Sequence, residues 1–582
     1  MKLGEFLYQM RQNKKMRQYE LAYGYCSVSV ISKIESGQMR PDYYLANALL
    51  ERLGVYSNKY FTLITKKEYD FYLLQNTVFN LIDNGNFEEA REIISDYNYV
   101  NEINTSIQEQ FLCMVEGLLS NNIEEQIIFF EKALWIEKGN ILEVVDRYLS
   151  ECEHMILCML CDRYLCVGQV DVVIKVLSEV IKNVEKIEMD KEQKIIVLPK
   201  EILLLCRALE DRFEYEEIYI YTENMIKIIK EEFNFLYLKE LLEFNIRARE
   251  KINGVNDIKE RSFELETLRS LWIEFDKQHI QKKVLNKNFF QKDGIEIVNE
   301  HISNSRKRLG LSQEQFSEGI CSPVTMSRIE CGVQMPSDRY FKKLTDKLKN
   351  HSEYYYGNIF TDDFELLEMS WKINYEFYNK NIIETRFLLK QLERKLDLSI
   401  SDNYQFVELW KIRLEEHVTS DRIKKLLQMD SEQGELSFNT ENEILLGMQL
   451  CIVLYKEKEY AEALNIVRIC IENCFGASGN HVSKMNILIL LHYNLLTLLD
   501  KLNFDEEVEE VFLEAMKYIF LTGKSAHLPK IIANYVSVLE KKGGCTQDRL
   551  KKYIKIAINV CLMYNREKEK EILQGYYQEK FS

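Results

Sequence analysis

The apolar and polar residues between positions 312 and 336 follow a pattern that predicts two short helices joined by a tight turn. Ser312 is a residue type that caps a helix, and Gly319 lies where that first helix must end. Ser322 followed by Pro323 places a cap before a proline at the first helical position, which is the favoured order. The second helix is therefore predicted to begin at Pro323.

This second helix is predicted to have one buried and one exposed face. Met326 and Ile329 lie three residues apart and would pack against the first helix. The residues on or beside the opposite face are Pro323, Val324, Ser327 and Arg328. A short helix held out in this way is the part of a helix-turn-helix that enters the major groove of DNA.

The N-terminal residues carry the same pattern 295 positions earlier, without a gap, and predict helices at 3–14, 18–25, 28–36 and 43–53. The main matching pairs are Arg11 and Arg306, Gln18 and Gln313, Cys26 and Cys321, Ser27 and Ser322, Lys33 and Arg328, Glu35 and Glu330, and Pro41 and Pro336. An ungapped match over about fifty residues that keeps turn, cap and charge positions indicates an internal duplication.

The rest of the chain is predicted to form antiparallel helix pairs. Five prolines and 22 glycines in 582 residues leave few helix breaks, and no alternating pattern is long enough to predict a sheet. One helix is predicted to begin at Pro199, and a single helix to fill 548–580. Units of roughly 35–45 residues are typical of tetratricopeptide-like repeats.

The expected fold class is all-α, with a helix-turn-helix domain followed by an α-solenoid of tetratricopeptide-like pairs in each half. The expected domains are an N-terminal helix-turn-helix at 1–60, solenoid 1 at 69–280, a connector at 281–295, a central helix-turn-helix at 296–350, and solenoid 2 at 361–582.

The net charge of −16 disfavours nucleic-acid binding by the chain as a whole, but the charge is unevenly distributed. Residues 1–60 hold nine basic and five acidic side chains, and residues 296–350 hold nine and seven. Locally basic domains on an otherwise acidic chain are compatible with DNA contact that is confined to those domains.

The sequence predicts a soluble, cytoplasmic protein without a membrane partner. Residues 1–50 lack the pattern of a secretory signal, and the most apolar run, 487–499, is too short to span a bilayer. The 14 cysteines lack the spacing of a disulfide framework and fit a reducing compartment.

Both predicted helix-turn-helix domains resemble the Cro and phage-repressor class. The segment FSEGICSPVTMS, from Phe316 to Ser327, has a turn one residue shorter than the commonest form and resembles that of Rgg/PlcR-type regulators. Those regulators join such a domain to tetratricopeptide repeats and sense short peptides. The resemblance covers the repeats only as architecture, and it implies double-stranded DNA and a short peptide or protein as partners.

The resemblance also implies which residues contact DNA. Gln18 and Gln313 would hydrogen-bond a phosphate, a contact that fixes register without reading sequence. Arg328 would pair with a guanine, and Val28 and Val324 would pack on a thymine methyl. The full expected set is Gln18, Ser27, Val28, Ser29, Lys33, Gln313, Ser322, Pro323, Val324 and Arg328. The alternative is that these are ordinary exposed helix residues.

Two charged pairs resemble the internal ion pair that ties the first helix to the third in this class. The pairs are Arg11 with Glu35 and Arg306 with Glu330. Their expected role is structural, because removal of one partner would leave a poorly solvated charge.

The N-terminal helix-turn-helix departs from the pattern before its second helix. It has KKMR at 14–17 where the central domain has LGLS at 309–312, and it is expected to lose both the helix cap and the tight turn. The extra charges either contact phosphate or mark a domain that has drifted toward a structural role, and both interpretations stay open.

The solenoids contain two weaker candidates for chemistry. Asn494 and Asn534 recur at one place in two first helices, where a carboxamide either clamps the backbone of an extended peptide or bonds a neighbouring turn. Cys158 and Cys161 form a CxxC on one predicted helix, which favours packing over a metal site. No catalytic or phosphate-loop motif occurs, so neither an enzyme, a cofactor nor a metal is expected.

These observations together predict a DNA-binding transcriptional regulator whose solenoids sense a peptide or protein. One chain would supply both DNA-reading helices as a pseudo-dimer, and pairing of two full chains stays open. Two alternatives remain: an interaction scaffold whose helix-turn-helix domains no longer bind DNA, and a repressor whose repeats only oligomerise.

Overall fold

The computed structural model describes residues 1–100, 105–137, 139–252, 258–276, 295–348, 355–356, 358–429, 434–476, 482–504, 506–543 and 545–581. Its fold is all-α, and the predicted fold class is confirmed. The predicted connector, 281–295, lies outside the described residues except for Ile295.

The described part of the first half forms fourteen α-helices. They are α1 Leu3–Asn13, α2 Gln18–Ala22, α3 Val28–Glu35, α4 Tyr43–Arg52, α5 Lys66–Asp83, α6 Phe87–Val100, α7 Ser106–Leu119, α8 Ile123–Ala133, α9 Glu151–Cys166, α10 Val170–Lys186, α11 Lys191–Glu210, α12 Tyr215–Glu231, α13 Leu238–Ile252 and α14 Lys259–Phe275. Helices α1 to α4 form the N-terminal helix-turn-helix. Two 3₁₀ turns, Ser57–Lys59 and Ile141–Asp146, lie between helices.

The described part of the second half forms fifteen more. They are α15 Val298–Arg308, α16 Gln313–Ser317, α17 Pro323–Glu330, α18 Asp338–Lys347, α19 Phe364–Tyr378, α20 Ile382–Lys395, α21 Ser401–Leu414, α22 Ser420–Leu427, α23 Glu441–Glu457, α24 Tyr460–Gly476, α25 Val482–Leu502, α26 Val508–Thr522, α27 Leu528–Lys542, α28 Gln547–Met563 and α29 Glu567–Phe581. Helices α15 to α18 form the central helix-turn-helix.

Side-chain caps in the local sequence explain where several of these helices begin. Helix α9, for example, begins in a capping box, in which Ser150 Oγ accepts from Glu153 N at 3.3 Å and the Glu153 carboxylate accepts from Ser150 N at 2.7 Å. Helix α10 then buries Val173, Val176 and Val180 on one stripe, as a repeat helix must.

Two helix predictions were wrong. Pro199 does not begin a helix but lies buried inside α11, although a proline there removes one backbone hydrogen bond of the helix. The predicted single C-terminal helix is interrupted between α28 and α29, where Asn565 takes a left-handed conformation at φ 55°.

A small three-stranded sheet was not predicted from the sequence. Its strands are β1 Phe61–Ile64, β2 Ile295–Ile297 and β3 Tyr355–Tyr356, in the order β2-β1-β3. Strand β1 pairs with β2 in parallel and with β3 antiparallel, and Phe61 lies opposite Tyr356. Strands of two to four residues are too short to show an alternating pattern, and each depends on a partner far away in the sequence.

The chain forms two compact units, and each unit contains segments from both halves of the sequence. Compact unit 1 contains residues 1–6, 58–74 and 291–511, and compact unit 2 contains residues 7–57, 75–290 and 512–582. The central helix-turn-helix thus belongs to unit 1, and most of the N-terminal one belongs to unit 2. The domain limits drawn from chain order stay predictions.

Within compact unit 2, two short segments from opposite halves of the sequence bond to each other reciprocally. Phe235 N donates to Gly523 O at 3.0 Å, and Ser525 N donates to Phe233 O at 2.7 Å. Asn234 and Lys524 face each other in an isolated antiparallel bridge. The helices that follow the two segments, α13 Leu238–Ile252 and α27 Leu528–Lys542, are both 15 residues long and begin 290 residues apart.

The most apolar run lies in α25, a helix longer than that run. Among the described residues, the 18-residue stretch Met485–Leu502 is long and apolar enough to cross a bilayer, contrary to the expectation. However, 56% of it is buried inside the protein, which is the pattern of a core helix.

Candidate nucleic-acid interface

Helix α17 of the central helix-turn-helix is held by a cap at its start and by two buried side chains. Ser322 Oγ accepts from Thr325 N at 3.0 Å, and Pro323 occupies the first turn. Met326 and Ile329 are both 0% exposed. The preceding helix, α16, begins in a capping box between Ser312 and Gln315.

The opposite face of α17 is open to solvent. Val324 is 64% exposed, and Ser322, Pro323 and Arg328 are exposed as well. A valine this exposed has no packing role, and a guanidinium on the same helix offers a forked donor. The face therefore combines an apolar contact with a charged donor, which is the chemistry that reads base edges.

Helix α3 of the N-terminal helix-turn-helix repeats this arrangement. Ser27 Oγ accepts from Val30 N at 3.4 Å, and Ile31 and Ile34 are each 1% exposed. The outward residues predicted for DNA contact are Val28, Ser29 and Lys33, all of which are exposed. The structure thus presents the outward residues of each set on one helix, and their contact with DNA stays a prediction.

The turn before α2 is retained, so the prediction that the N-terminal domain loses it was wrong. Lys15 takes the left-handed conformation at φ 54°, where Gly310 takes it at φ 65° in the central domain. Lys15 N donates to Gln12 O, and Gly310 N to Lys307 O, both at 3.0 Å. The fold therefore imposes the turn even on a lysine, at the strain that a side chain meets in this region.

The substituted cap residue is only partly compensated. Arg17 makes no side-chain cap bond, but the Glu20 carboxylate accepts from Arg17 N at 2.5 Å. The extra basic residues also differ in their surroundings, since Lys14 Nζ donates to Ile187 O while Lys15 and Arg17 are exposed. Lys14 is thus directed toward the solenoid and not toward phosphate.

Each helix-turn-helix contains an Arg–Glu pair between its first and third helices. Arg11 Nε and Nη2 donate to the two oxygens of Glu35 at 2.6 and 2.8 Å. Arg306 Nε and Nη2 donate to those of Glu330 at 2.5 and 2.9 Å. The third guanidinium nitrogen, Nη1, donates to a carbonyl before α2 or α16, and so each arginine ties three segments together.

The predicted phosphate contacts Gln18 and Gln313 also lie at these pairs. Gln18 Nε2 donates to Glu35 Oε2 and Gln313 Nε2 donates to Glu330 Oε2, both at 2.8 Å. An amide nitrogen carries two N–H groups, so the second is left for a phosphate oxygen, and that role stays a prediction.

Glu330 is held as a carboxylate by its neighbours. Burial raises its pKa, but hydrogen bonds from Arg306, Gln313 and Ser303 outweigh burial, and the pKa is lowered overall. The bond to Glu330 correspondingly raises the pKa of Arg306. The pair is therefore charged on both sides at neutral pH.

Comparisons with known proteins give structural neighbours only, since no family model and no curated protein matches the chain. Bacillus thuringiensis PlcR, solved with the peptide PapR7 and DNA, is similar at a TM-score of 0.32 and 16% identity over 47% of this chain and 98% of PlcR. ComR from S. thermophilus, solved with DNA and its signalling peptide ComS, is similar at a TM-score of 0.32 and 14% identity over 48% of this chain and 99% of that ComR. ComR from Streptococcus vestibularis, solved with the signalling peptide XIP, is similar at a TM-score of 0.31 and 13% identity over 48% of this chain and 97% of that ComR. Each match thus spans nearly all of the other protein and about half of this chain.

The candidate peptide-binding residues lie on two helices of different compact units. Asn494 is in α25 of unit 1 and Asn534 is in α27 of unit 2, and both are half-buried. Their role in binding a peptide stays a prediction.

The two cysteines of the CxxC lie on the buried side of α9. Cys158 is 1% exposed and Cys161 is 0% exposed, and burial raises the pKa of both thiols. Among the described residues, no group of three His, Cys, Asp or Glu side chains is placed to hold a metal ion. In this environment the thiols act as small packing residues.

Sequence reasoning missed the polar contacts that join the N-terminal helix-turn-helix to solenoid 1. Arg52 at the end of α4 bonds to Glu153 at the start of α9, and both side chains are 1% exposed. Glu51 and Arg52 come directly after the apolar pair Leu49-Leu50, so charged residues at the end of an apolar helix were the available signal. Its distant partner on α9 gave no signal of its own.

Proposed function

We propose that this protein is a sequence-specific DNA-binding transcriptional regulator. The observation that carries the proposal is α17, a capped helix that buries Met326 and Ile329 and presents Val324 and Arg328 on its outer side. Helix α3 supports it with the same arrangement. A cytoplasmic location and the absence of enzymatic activity belong to the proposal.

One chain supplies both reading helices as an internally duplicated pseudo-dimer. The reciprocal bonds between residues 233–235 and 523–525 support this. At the offset of 290 residues that separates α13 from α27, residues 233 and 235 correspond to 523 and 525, and the two bonds are exchanged as they are about a two-fold axis. The pairing of Phe61 with Tyr356, its equivalent in the second half, follows the same rule in compact unit 1.

The two half-sites in DNA are predicted to differ. Val28 and Ser29 open α3, whereas Pro323 and Val324 open α17, and Lys33 stands where α17 has Arg328. A lysine is a point charge without the bidentate fork that arginine offers to guanine. An asymmetric operator follows, and a perfect palindrome bound by one chain would contradict this part of the proposal.

A peptide or protein bound to the solenoids controls DNA binding. The support is architectural, since helix pairs of this type form extended concave surfaces, and Asn494 and Asn534 are half-buried polar side chains on repeat helices. Thermal stabilisation of the full chain by candidate short peptides tests this part, and its absence favours a regulator whose repeats only oligomerise.

The test of DNA binding is selection of bound duplexes from a random pool, with Arg328→Ala compared alongside. Loss of a bidentate contact costs about 1–3 kcal/mol and relaxes specificity at one position of the site. Lys390→Ala, an exposed charge on α20, is the control and is expected to leave selection unchanged. Failure to bind random duplex even at low salt would favour the scaffold alternative.

A further inference from the structure

The N-terminal helix-turn-helix is joined to solenoid 1 by a fully buried ion pair. Arg52 Nε donates to Glu153 Oε2 at 3.0 Å, and Arg52 Nη2 donates to Glu153 Oε1 at 2.5 Å. Both side chains are 1% exposed. Water therefore does not compete for either group, and the geometry is the bidentate one that fixes orientation as well as distance.

The same guanidinium also holds the turn that leads into the recognition helix. Arg52 Nη1 donates to Leu21 O at 2.8 Å and to Tyr23 O at 2.7 Å, at the end of α2. Its Cζ lies 4.1 Å from the centroid of the Tyr25 ring, and Tyr25 Oη lies 2.7 Å from Ser150 Oγ. Helix α3 begins shortly after Tyr25, at Val28, so one arginine connects its entry turn to α4 and α9.

Further bonds join α4 and the residues after it to solenoid 1, and together with the Arg52–Glu153 pair these contacts are called the seam. Glu51 accepts from Glu151 N at 3.1 Å, and Gln193 Nε2 donates to Glu51 O at 3.1 Å. Tyr56 N donates to Asp190 Oδ2 at 2.9 Å. Contacts from α4 and the residues after it thus reach both α9 and the start of α11.

The central helix-turn-helix has a different residue where Arg52 would be. Lys347 is the equivalent of Arg52 in the duplicated pattern, and its Nζ donates to Gln315 O at 2.6 Å and Glu318 O at 3.3 Å. The lysine therefore keeps the bonds to the turn. Its single ammonium has no fork with which to hold a carboxylate at the same time.

A buried glutamate that corresponds to Glu153, at the offset of 290 residues between the starts of α9 and α23, is nevertheless present in solenoid 2. Glu443 closes the capping box of α23 with Thr440, as Glu153 does with Ser150 on α9, and it is 0% exposed. Its Oε2 accepts from Asn439 N and Thr440 N at 2.6 and 3.0 Å. Its Oε1 has no hydrogen-bond partner among the described residues.

We infer that Arg52 and Glu153 are positioning residues that fix the recognition helix α3 on solenoid 1. The N-terminal helix-turn-helix then moves with α9 as one rigid part, whereas no such pair holds the central one among the residues that the structure describes. A ligand that repacks solenoid 1 changes the orientation of α3 directly through this pair. The inference rests on the proposed function for its effect on DNA, but the rigid attachment itself is testable without DNA.

The first experiment compares Glu153→Gln with Glu443→Gln in the full chain by hydrogen exchange. Glutamine keeps a side-chain acceptor for each capping box and removes only the charge, so the two variants differ in whether a buried cation loses its partner. Glu153→Gln is expected to speed exchange in residues 21–27 and at the start of α9 by about 100-fold or more. Glu443→Gln is expected to change exchange at the start of α23 by no more than about 3-fold.

The second experiment measures footprints on the selected duplex. Glu153→Gln is expected to lose protection of the half-site contacted by α3 and to keep protection of the other. Arg52→Lys, which retains the charge without the fork, is expected to give an intermediate loss.

Two results would overturn the inference. One is that Glu153→Gln and Glu443→Gln speed exchange equally, each in its own region. The other is that Glu153→Gln lowers protection inside α3 as much as it lowers protection in residues 21–27 and at the start of α9. The second result would mean that the pair only keeps the helix-turn-helix folded. If the wild-type chain binds no duplex, the proposed function fails, and the exchange comparison still decides whether the pair fixes α3.

Discussion

Replacement of Gly24 by alanine, compared with the same change at Gly319, measures how tightly the N-terminal helix-turn-helix is packed on solenoid 1. The two glycines occupy equivalent positions of the same turn in the two domains, with φ of +72° and +75°. A Cβ at Gly319 meets no atom within 4 Å. A Cβ at Gly24 would lie 2.3 Å from Trp135 Cε3 and 2.4 Å from Cδ2, which is far inside contact distance.

The expected magnitudes follow from these two environments. Both alanines meet the left-handed backbone strain of about 1–2 kcal/mol, reduced by about 0.4–1 kcal/mol because alanine also restricts the unfolded chain. Only Gly24→Ala adds overpacking, typically about 1–3 kcal/mol. The Trp135 ring cannot move freely, because it packs edge-on against Tyr25 with centroids 5.1 Å apart. The two variants should therefore differ by about 1–3 kcal/mol, or roughly 5- to 150-fold.

Hydrogen exchange of the full-length variants, followed by mass spectrometry, is the appropriate measurement because a chain with two compact units does not unfold in one step. Gly24→Ala is expected to lose protection in residues 23–31 and around Trp135. Gly319→Ala is expected to lose less in residues 318–326. Equal losses would refute the reasoning, since they would show that the turn strain dominates and the Trp135 contact yields without cost.

Three other predictions concern the helix-turn-helix domains. Lys15→Gly should slow exchange around residues 11–18, because glycine relieves a left-handed strain of about 1–2 kcal/mol, of which about 0.4–1 kcal/mol is offset by the greater freedom of the unfolded chain. Faster exchange would contradict this. Glu330→Gln leaves the Arg306 guanidinium, only 10% exposed, without its counter-charge. The free energy of local opening of α17, measured by hydrogen exchange, should therefore fall by about 3 kcal/mol. A fall of less than about 1 kcal/mol would exclude a structural role for the pair. The pKa of Glu330 is lowered in the folded state, so at acidic pH the unfolded state binds more protons than the folded state. The stability that ionised Glu330 contributes is therefore fully present above its unfolded pKa of about 4.3. That stability is lost as the pH falls through the lower pKa of the folded state. The central helix-turn-helix should thus lose protection in acid, and Glu330→Gln should remove that pH dependence.

The features that sequence predicted well are those determined by neighbouring residues. The start of α17 at Pro323 follows from Ser322 and the proline, and burial of Met326 and Ile329 follows from their spacing. Repeat helices such as α10 were found for the same reason, since their apolar stripe is a local pattern.

The features that were missed depend on residues far apart in the chain. Strand β1 exists because residues 295–297 and 355–356 pair with it, and α11 continues through the buried Pro199 where the local rule predicts a helix start. The conformation of Lys15 was missed because the surrounding turn, and not the residue's own preference, determines it. Long-range partners leave no periodic trace in the sequence.

The reciprocal bonds of residues 233–235 and 523–525 have a consequence for how such a protein would work at low abundance. Two separate polypeptides must meet before they can act together, so their activity falls steeply on dilution. In the proposed pseudo-dimer, the peptide chain itself would keep the matching surfaces near each other at an effective concentration that dilution does not change. A handful of molecules per cell would remain fully assembled, and mutations in one half need not be copied in the other.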